Sequence, residues 1–193
     1  MKIGRKSKDT MEKNNKGFSL IELVVVIAIM AILVGLIVVS LSSVFGTKAL
    51  ECAEKVSAKI DSVKTGSVSL YNETMVLKYD TDGYYTECGV FTIDKYANSV
   101  AASNPEIRKV GAKNVVVKAY TTNGAEYNVA SDNITISFDR SSGAFAQARV
   151  NNILLVDGSG VPLYFEKITF SAGSRTYTIE MIPETGKHTL TRN

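Results

Sequence analysis

An uncharged apolar run near the N-terminus is the strongest constraint on how this 193-residue chain folds. From Leu23 to Thr47 the sequence holds 25 consecutive residues without a charge, and most of them are Val, Ile, Leu, Ala or Met. As a helix rising ~1.5 Å per residue, this run reaches about 37 Å. The hydrocarbon core of a bilayer measures ~30 Å, so the run predicts a membrane-spanning helix, and the remaining length predicts one modest domain.

The charges are distributed unevenly on the two sides of this run. The whole chain carries +3, whereas residues 1–17 alone hold six basic and two acidic side chains. A basic segment before an apolar helix stays in the cytoplasm, which predicts that everything after Thr47 faces outward. The rest of the chain is close to neutral, and this argues against general nucleic-acid binding.

One acidic residue, Glu22, lies just inside the start of the apolar segment. A carboxylate placed in lipid is costly and usually marks a function. A plain membrane anchor fits the length of the segment but leaves Glu22 unexplained. A secretory signal peptide with its cleavage region at residues 40–46 is a further alternative, although the apolar part of such a signal is shorter than this run.

The run Gly17-Phe18-Ser19-Leu20-Ile21-Glu22 resembles the processing site of type IV pilins and of the related pseudopilins of type II secretion. The resemblance implies that residues 1–17 are a basic leader and that a prepilin peptidase cuts after Gly17. It implies that the same enzyme N-methylates Phe18, the new N-terminal residue. It also implies that Glu22, at the fifth mature position, acts in assembly.

Electrostatics agrees with this role for Glu22. An α-amine and a carboxylate are both charged at neutral pH. Two such charges about 4 Å apart attract by a few kcal/mol at an intermediate dielectric constant, which offsets the cost of holding Glu22 in lipid. We expect the amine of Phe18 on a neighbouring, staggered subunit to be the partner. The alternative is a carboxylate that extends to the lipid headgroups.

The pattern becomes amphipathic after the apolar run. Apolar residues recur every three or four positions, namely Leu50, Ala53, Val56, Ile60, Val63 and Leu70, with Ser67 at the remaining step. This spacing predicts an amphipathic helix over residues 48–72 that continues the transmembrane and assembly helix of residues 18–47. Because no proline interrupts it, we expect one helix from about Ser19 to Asn72. Glu51 and Lys55 lie four residues apart, which predicts an ion pair on its polar face.

Residues 73–193 alternate apolar and polar side chains in short runs between turn residues, which predicts an antiparallel sheet. The predicted strands are residues 75–79, 84–86, 113–120, 134–138, 144–150, 168–170, 176–182 and 187–191. The first two are joined by a turn at residues 80–83, residues 134–138 and 144–150 form a hairpin closed by Gly143, and the last three form a closing meander with turns at residues 172–174 and 183–186. A sheet of this kind buries its apolar face against the amphipathic helix. The predicted fold class is therefore α+β, a long N-terminal helix packed on an antiparallel β-sheet, as in pilins. The segment Phe138–Gly143 and the turn at Gly186 also resemble the minor pseudopilins that cap and initiate a fibre.

The remaining candidate residues leave their alternatives open. On the outer side of a membrane, Cys52 and Cys88 either form a disulfide or are simply buried thiols. The sequence predicts no catalytic residue, no cofactor site and no metal site, and a catalytic pair of a cysteine with His188 is not expected. A basic cluster contains Arg108, Lys109, Lys113 and Lys118. It either contacts DNA phosphates or acidic polymers, or forms a solvated strand edge whose lysines discourage pairing.

Together these observations predict a structural protein and no enzyme. The resemblance implies a prepilin precursor that polymerises through its N-terminal helix into a type IV pilus or a pilus-like fibre of the cell surface or envelope. Its implied partners are the prepilin peptidase and methylase, other pilin subunits, a membrane assembly platform and, before assembly, membrane lipid. The precursor would cross the inner membrane once with its C-terminal domain outside. The alternative is a membrane-anchored or secreted binding domain that does not polymerise.

Overall fold

The computed structural model describes residues 19–69, 73–90 and 105–192. The helix α1 spans Leu20–Ser69. It is followed by the strands β1 Glu73–Asp80, β2 Gly83–Val90, β3 Glu106–Ala112, β4 Val116–Thr121, β5 Glu126–Asn128, β6 Ile134–Ser137, β7 Arg149–Val150, β8 Ile153–Leu154, β9 Phe165–Ala172, β10 Arg175–Ile182 and β11 Lys187–Arg192. The α+β class is confirmed. The chain divides into two compact units, Met1–Val39 and Ser40–Asn193.

The C-terminal half of α1 buries the apolar face that its sequence predicts. Its fully buried residues are Ala49, Cys52, Ala53, Val56, Ile60, Val63 and Ser67. These positions follow three- and four-residue steps, so they lie on one side of the helix. Ser67 fits among them because its hydroxyl donates a hydrogen bond of 2.7 Å to the carbonyl oxygen of Glu73. On the exposed side, the predicted ion pair of Glu51 and Lys55 is confirmed at 2.6 Å.

The first sheet has the strand order β3-β2-β1-β6-β7-β8. Its β1–β2 hairpin is confirmed, with Asp80 opposite Gly83 across the predicted turn. Met75 and Leu77 alternate along β1 and are fully buried. Alternate residues of a strand point to the same face, so β1 directs this face to the core.

The second sheet has the strand order β11-β10-β9-β4-β5. The predicted closing meander is confirmed as β9, β10 and β11. Its two turns contain Gly173 and Gly186, whose φ angles are 62° and 61°. These angles lie in the left-handed region, which glycine adopts without steric cost. Side chains of α1 and of both sheets, such as Ile60, Leu77 and Phe170, belong to one hydrophobic core cluster.

The prediction of a single sheet was wrong, because the strands form two sheets. The prediction of one long strand at residues 144–150 was also wrong. Residues 144–150 were predicted as a strand, but only Arg149–Val150 is assigned to one. Backbone groups of residues 144–148 bond to separate segments of the chain, so they do not follow one partner strand. The Phe145 N–H donates to the carbonyl of Pro183, and the Ala148 N–H donates to the carbonyl of Leu163. The predicted pairing of the two segments is nevertheless present, because Phe138 and Phe145 form an isolated antiparallel bridge and β6 pairs with β7.

Candidate functional site

Glu22 lies in the first turn of α1. The helix begins with a hydrogen bond of 3.1 Å from the Leu23 N–H to the carbonyl oxygen of Ser19. A negative charge in the first turn is favourable because the unpaired N–H groups of a helix N-terminus carry partial positive charge. Glu22 is exposed, and it is the one charged residue between Gly17 and Thr47. The first turn therefore presents a single carboxylate at the start of an apolar helix.

The apolar side chains that follow Glu22 are exposed as well. Their exposed fractions range from 48% for Leu33 to 82% for Leu20. The set consists of Leu20, Ile21, Leu23, Val24, Val25, Val26, Ile27, Ile29, Met30, Ile32, Leu33 and Val34. Contiguous exposed apolar surface of this extent marks a site of interaction with other proteins or with a membrane. We call residues 20–34 the apolar segment of α1.

Among the described residues, no helix has both the length and the hydropathy that a membrane crossing requires. The membrane-spanning segment predicted at residues 18–47 stays a prediction.

The two residues of the predicted cleavage junction, Gly17 and Phe18, lie outside the described residues, immediately before Ser19. Residues 13–44 match the family described as the prokaryotic N-terminal methylation motif. The chain carries the prepilin motif of type IV pilins and pseudopilins. No curated protein and no solved structure is significantly similar to the chain. The prepilin match includes Gly17, Phe18 and Glu22, the three residues to which the resemblance assigns cleavage, methylation and assembly.

Cys52 and Cys88 are free thiols in this fold, so the disulfide that was one of the two alternatives is not formed. Their side chains are 0% and 2% exposed. Burial in apolar surroundings raises the pKa of the Cys52 thiol to about 12 and that of Cys88 to about 11. Thiolate is the reactive form of cysteine, so both groups are inert at neutral pH. Cys52 packs against Gly111 of β3, which places its sulfur under the first sheet.

His188 contacts two residues of α1. Among the described residues, it forms no hydrogen bond with Cys52 or Cys88. Its Nε2 atom lies 2.9 Å from the Ser57 hydroxyl and 3.8 Å from the Asp61 carboxylate. A catalytic triad needs the carboxylate at the other ring nitrogen, so this arrangement does not prepare a nucleophile. The contact instead ties β11 to the C-terminal half of α1.

The predicted basic cluster does not stay together in the fold. Arg108 and Lys109 lie on β3 of the first sheet, whereas Lys118 lies on β4 of the second. Each of the three forms an ion pair: with Glu106 at 2.6 Å for Arg108, with Asp82 at 2.5 Å for Lys109, and with Glu126 at 2.7 Å for Lys118. The edge-strand interpretation, which placed these cations beside the strand of Val115–Val117, is wrong, because β4 pairs with β5 on one side and β9 on the other.

A basic groove between α1 and β3 was missed by the sequence analysis. It has a volume of about 590 Å³, and its cationic lining residues are Lys55, Lys59, Arg108 and Lys109. Lys59 forms an ion pair with Glu106 across the groove. Two of these cations are on the helix and two on a strand some 50 positions later, so no local pattern joins them. We call this feature the α1–β3 groove.

Proposed function

We propose that this chain is the precursor of a structural subunit of a type IV pilus or pilus-like fibre. The observation that carries the proposal is the prepilin motif at residues 13–44. It is supported by the position of Glu22 in the first helical turn and by the exposed apolar segment that follows it. As a fibre subunit, the protein would need no catalytic centre of its own.

The first step is processing by a prepilin peptidase. Hydrolysis of the Gly17–Phe18 amide releases the basic leader of residues 1–17 and creates a free α-amine on Phe18. N-methylation of this amine by the same enzyme preserves its positive charge, because a secondary amine remains protonated at neutral pH. Removal of six basic residues with the leader leaves the amine of Phe18 as the cation nearest to Glu22 in sequence.

The second step is insertion of the subunit into the fibre. Two apolar segments that pack against each other cover the side chains that one copy leaves exposed. Glu22 then moves away from water, and a buried carboxylate is tolerated when a cation pairs with it. The amine of Phe18 on the neighbouring copy supplies this cation. At about 4 Å and an effective dielectric constant near 20, the attraction is ~4 kcal/mol. The pair would therefore set the axial register of the incoming subunit.

Before assembly, the precursor is held at the inner membrane. The uncharged run from Leu23 to Thr47 enters the lipid, the basic leader stays on the cytoplasmic side, and the residues after Thr47 face outward. A membrane assembly platform then transfers the subunit from lipid to the fibre, so that its partners change from lipid to other pilin subunits.

A substitution that separates processing from polymerisation tests the proposal. Glu22→Gln retains the shape of the side chain and removes its charge. In cells whose only pilin is this chain, we expect Glu22→Gln to be cleaved normally and to be lost from sheared surface fibres. Glu54→Gln is the matched control, because Glu54 is an exposed glutamate on the same helix within the globular unit. This control should be cleaved and polymerised like the wild type.

Mass spectrometry of the N-terminus and the yield of sheared fibres give the two readouts. Mature protein that begins at a residue other than Phe18 would refute the processing step. Wild-type amounts of Glu22→Gln in the fibres would refute the assembly role of this carboxylate. A wild-type chain that is cleaved and exported but never polymerises would instead be an anchored or secreted binding domain.

A further inference from the structure

Three segments of the chain converge where α1 enters the folded part of the unit Ser40–Asn193. The first is α1 itself, from Gly46 onward. The second is the turn between β3 and β4, which contains Lys113. The third is the turn between β9 and β10, which ends at Arg175. Each of these segments brings one cation to the same end of the unit.

The turn between β9 and β10 is held against the helix by the side chain of Arg175. A Cβ atom added to Gly46 would overlap with the Cδ atom of Arg175. The aliphatic stem of Arg175 therefore lies directly on α1, at a position where glycine leaves room for it. An arginine packs its stem in this way while its guanidinium reaches solvent. The apolar surface continues at Val44, which is 52% exposed.

The turn between β3 and β4 lies beside the turn between β9 and β10. Val116, at the start of β4, pairs with Ser171 near the end of β9. The next residue of β9, Ala172, pairs with Arg175. Because strands of one sheet lie about 5 Å apart, the exposed turn residue Lys113 belongs to the same end of the unit.

The third cation, Lys48, lies on α1 next to the end of β3. Lys48 and Ala112 line one cavity of about 230 Å³ between the helix and this strand. Ala112 directly precedes Lys113, so the two lysines approach each other from different elements. We call Lys48, Lys113 and Arg175 the basic end.

The basic end differs from the α1–β3 groove in its ion pairs. All four groove cations pair with carboxylates of the same copy. Among the described residues, no member of the basic end forms an ion pair. The nearest acids along the sheet are Asp80 and Asp82 of the β1–β2 turn, because Gly83 pairs with Ala112. Asp82 is already paired with Lys109. The basic end therefore carries positive charge that no described carboxylate pairs with.

The position of these cations along the chain indicates what they meet. Lys48 is the first charged residue after the uncharged run that ends at Thr47. When this run lies in lipid, the next residues lie at the level of the headgroups. Arg175 crosses α1 at Gly46, only about 3 Å of helical rise from Lys48. Phospholipid headgroups contain phosphodiester anions, and both guanidinium and ammonium groups bind phosphate.

We propose that the basic end binds the phosphodiester groups of anionic phospholipids on the outer side of the membrane that holds the precursor. The proposal rests on the proposed function, because it requires that the chain is held in a membrane before assembly. Such a contact fixes the orientation of the globular unit on the bilayer. Transfer of the subunit to the fibre then includes release of these headgroups.

Fluorescence quenching of the full-length chain in vesicles tests this contact. Asn114→Cys, beside Lys113, carries a bimane label, whereas Cys52 and Cys88 are buried and stay unlabelled. The vesicles contain phosphatidylcholine with a nitroxide on its headgroup, with or without phosphatidylglycerol. We expect stronger quenching with phosphatidylglycerol, and we expect salt to weaken this effect because it screens exposed charges.

A matched pair of double variants tests the residues. Lys113→Gln with Arg175→Gln should lower the ratio of quenched to unquenched label about fivefold for each cation, and about 25-fold for both. Arg140→Gln with Lys187→Gln also removes one arginine and one lysine, both exposed. Lys187 pairs with Ile182, at the other end of β10 from Arg175. This control should be quenched like the parent. Equal losses in the two would reveal an effect of net charge alone and would overturn the proposal.

Two single variants separate charge from packing, because Arg175→Gln also alters the stem that lies on Gly46. Arg175→Lys retains the charge and should retain the dependence of quenching on phosphatidylglycerol. Lys113→Gln changes an exposed turn residue and should lose about fivefold. Unchanged quenching of Lys113→Gln would refute the role of this lysine in the basic end.

The possible outcomes separate this proposal from the proposed function. A chain that floats with phosphatidylcholine vesicles but shows no dependence on phosphatidylglycerol would overturn the headgroup contact and leave membrane anchoring intact. A chain that floats with neither kind of vesicle would overturn both the contact and the membrane step of the proposed function.

Two further outcomes would assign the basic end to another ligand. Loss of the phosphatidylglycerol effect on addition of inorganic phosphate at constant ionic strength would indicate a site for a free anion. Retention of duplex DNA by the chain in detergent, lost in Lys113→Gln with Arg175→Gln and without any phosphatidylglycerol effect, would indicate nucleic-acid binding. Either result would overturn the lipid contact.

Discussion

Replacement of Gly186 by alanine should destabilise the globular unit more than replacement of Gly124 or Gly158 by alanine. Gly186 has a φ of 61°, and a residue with a Cβ atom in this left-handed region costs about 1–2 kcal/mol. The added methyl group would also overlap with the carbonyl oxygen of Gly143. This oxygen belongs to the backbone, so the turn that contains Gly143 has to move as a whole.

Lys64 makes this movement costly. Its ammonium group donates hydrogen bonds of 2.9 Å to the carbonyl of Gly186 and 3.2 Å to that of Thr185. Separation of the two turns strains these bonds, and a hydrogen bond to a charged group contributes about 1.5–3 kcal/mol. Because the site is partly exposed, we take the lower end of this range. The sum is a loss of about 3 kcal/mol in the free energy of unfolding.

Two other glycines separate the contributions. Gly124 has a φ of 82° and no neighbouring atom within 4 Å of an added Cβ, so Gly124→Ala should cost only the backbone term of about 1–2 kcal/mol. Gly158 has no neighbour at this distance either and is not among the glycines with positive φ. Gly158→Ala should therefore be neutral or slightly stabilising, because alanine restricts the unfolded chain.

Urea unfolding of the purified full-length chain in detergent, followed by tyrosine fluorescence, measures these differences in the free energy of unfolding, and thermal unfolding of the same samples measures Tm. For a domain of this size, 1 kcal/mol corresponds to about 2–4 °C in Tm, so Gly186→Ala should lower Tm by roughly 6–12 °C. A free energy of unfolding for Gly186→Ala within about 0.5 kcal/mol of that for Gly124→Ala would refute the predicted overlap with Gly143, since independent surface changes differ by no more than this.

Three further predictions concern processing, ionisation and packing. Gly17→Val should abolish cleavage, because a branched side chain crowds the site before the cut; unchanged amounts of mature protein in an immunoblot would contradict this. The raised pKa values of about 12 for Cys52 and about 11 for Cys88, against 9.0 in the unfolded chain, mean that the unfolded state releases protons first. Their contribution to stability is complete below pH 9 and is lost as the pH rises through 11 to 12. The free energy of unfolding should fall by up to about 1.4 kcal/mol per pH unit for each thiol in this range. Cys88→Ala should reduce this dependence of the free energy of unfolding on pH in urea titrations, and an unchanged dependence would contradict the assignment. Ile60→Ala should lower the free energy of unfolding by about 2–5 kcal/mol, because Ile60 is fully buried. Ile107→Ala should change it by no more than about 0.5 kcal/mol, because the Ile107 side chain is exposed. Equal losses in the two variants would show that Ile60 is not in the core.

The local elements of the fold were predictable because their signals lie within a few neighbouring residues. The three- and four-residue spacing from Ala53 to Val63 corresponds to one helix face, which is independent of what covers it. The β1–β2 hairpin and the closing meander follow from turn residues such as Gly83 and Gly186 between alternating runs. The prepilin motif is local in the same sense, since Gly17, Phe18 and Glu22 are recognised within one short segment.

The sequence by itself therefore determined the helix, its buried face, most of the strands and the prepilin motif. Tertiary structure alone decided how the strands divide between two sheets, because pairs such as β1 with β6 and β4 with β9 join residues roughly 45 to 60 positions apart. It also decided that Arg108 and Lys109 share a groove with Lys55 and Lys59, and that Lys118 does not. Strand pairing depends on which distant edges bury the most apolar surface together, and this depends on the whole chain rather than on any local pattern.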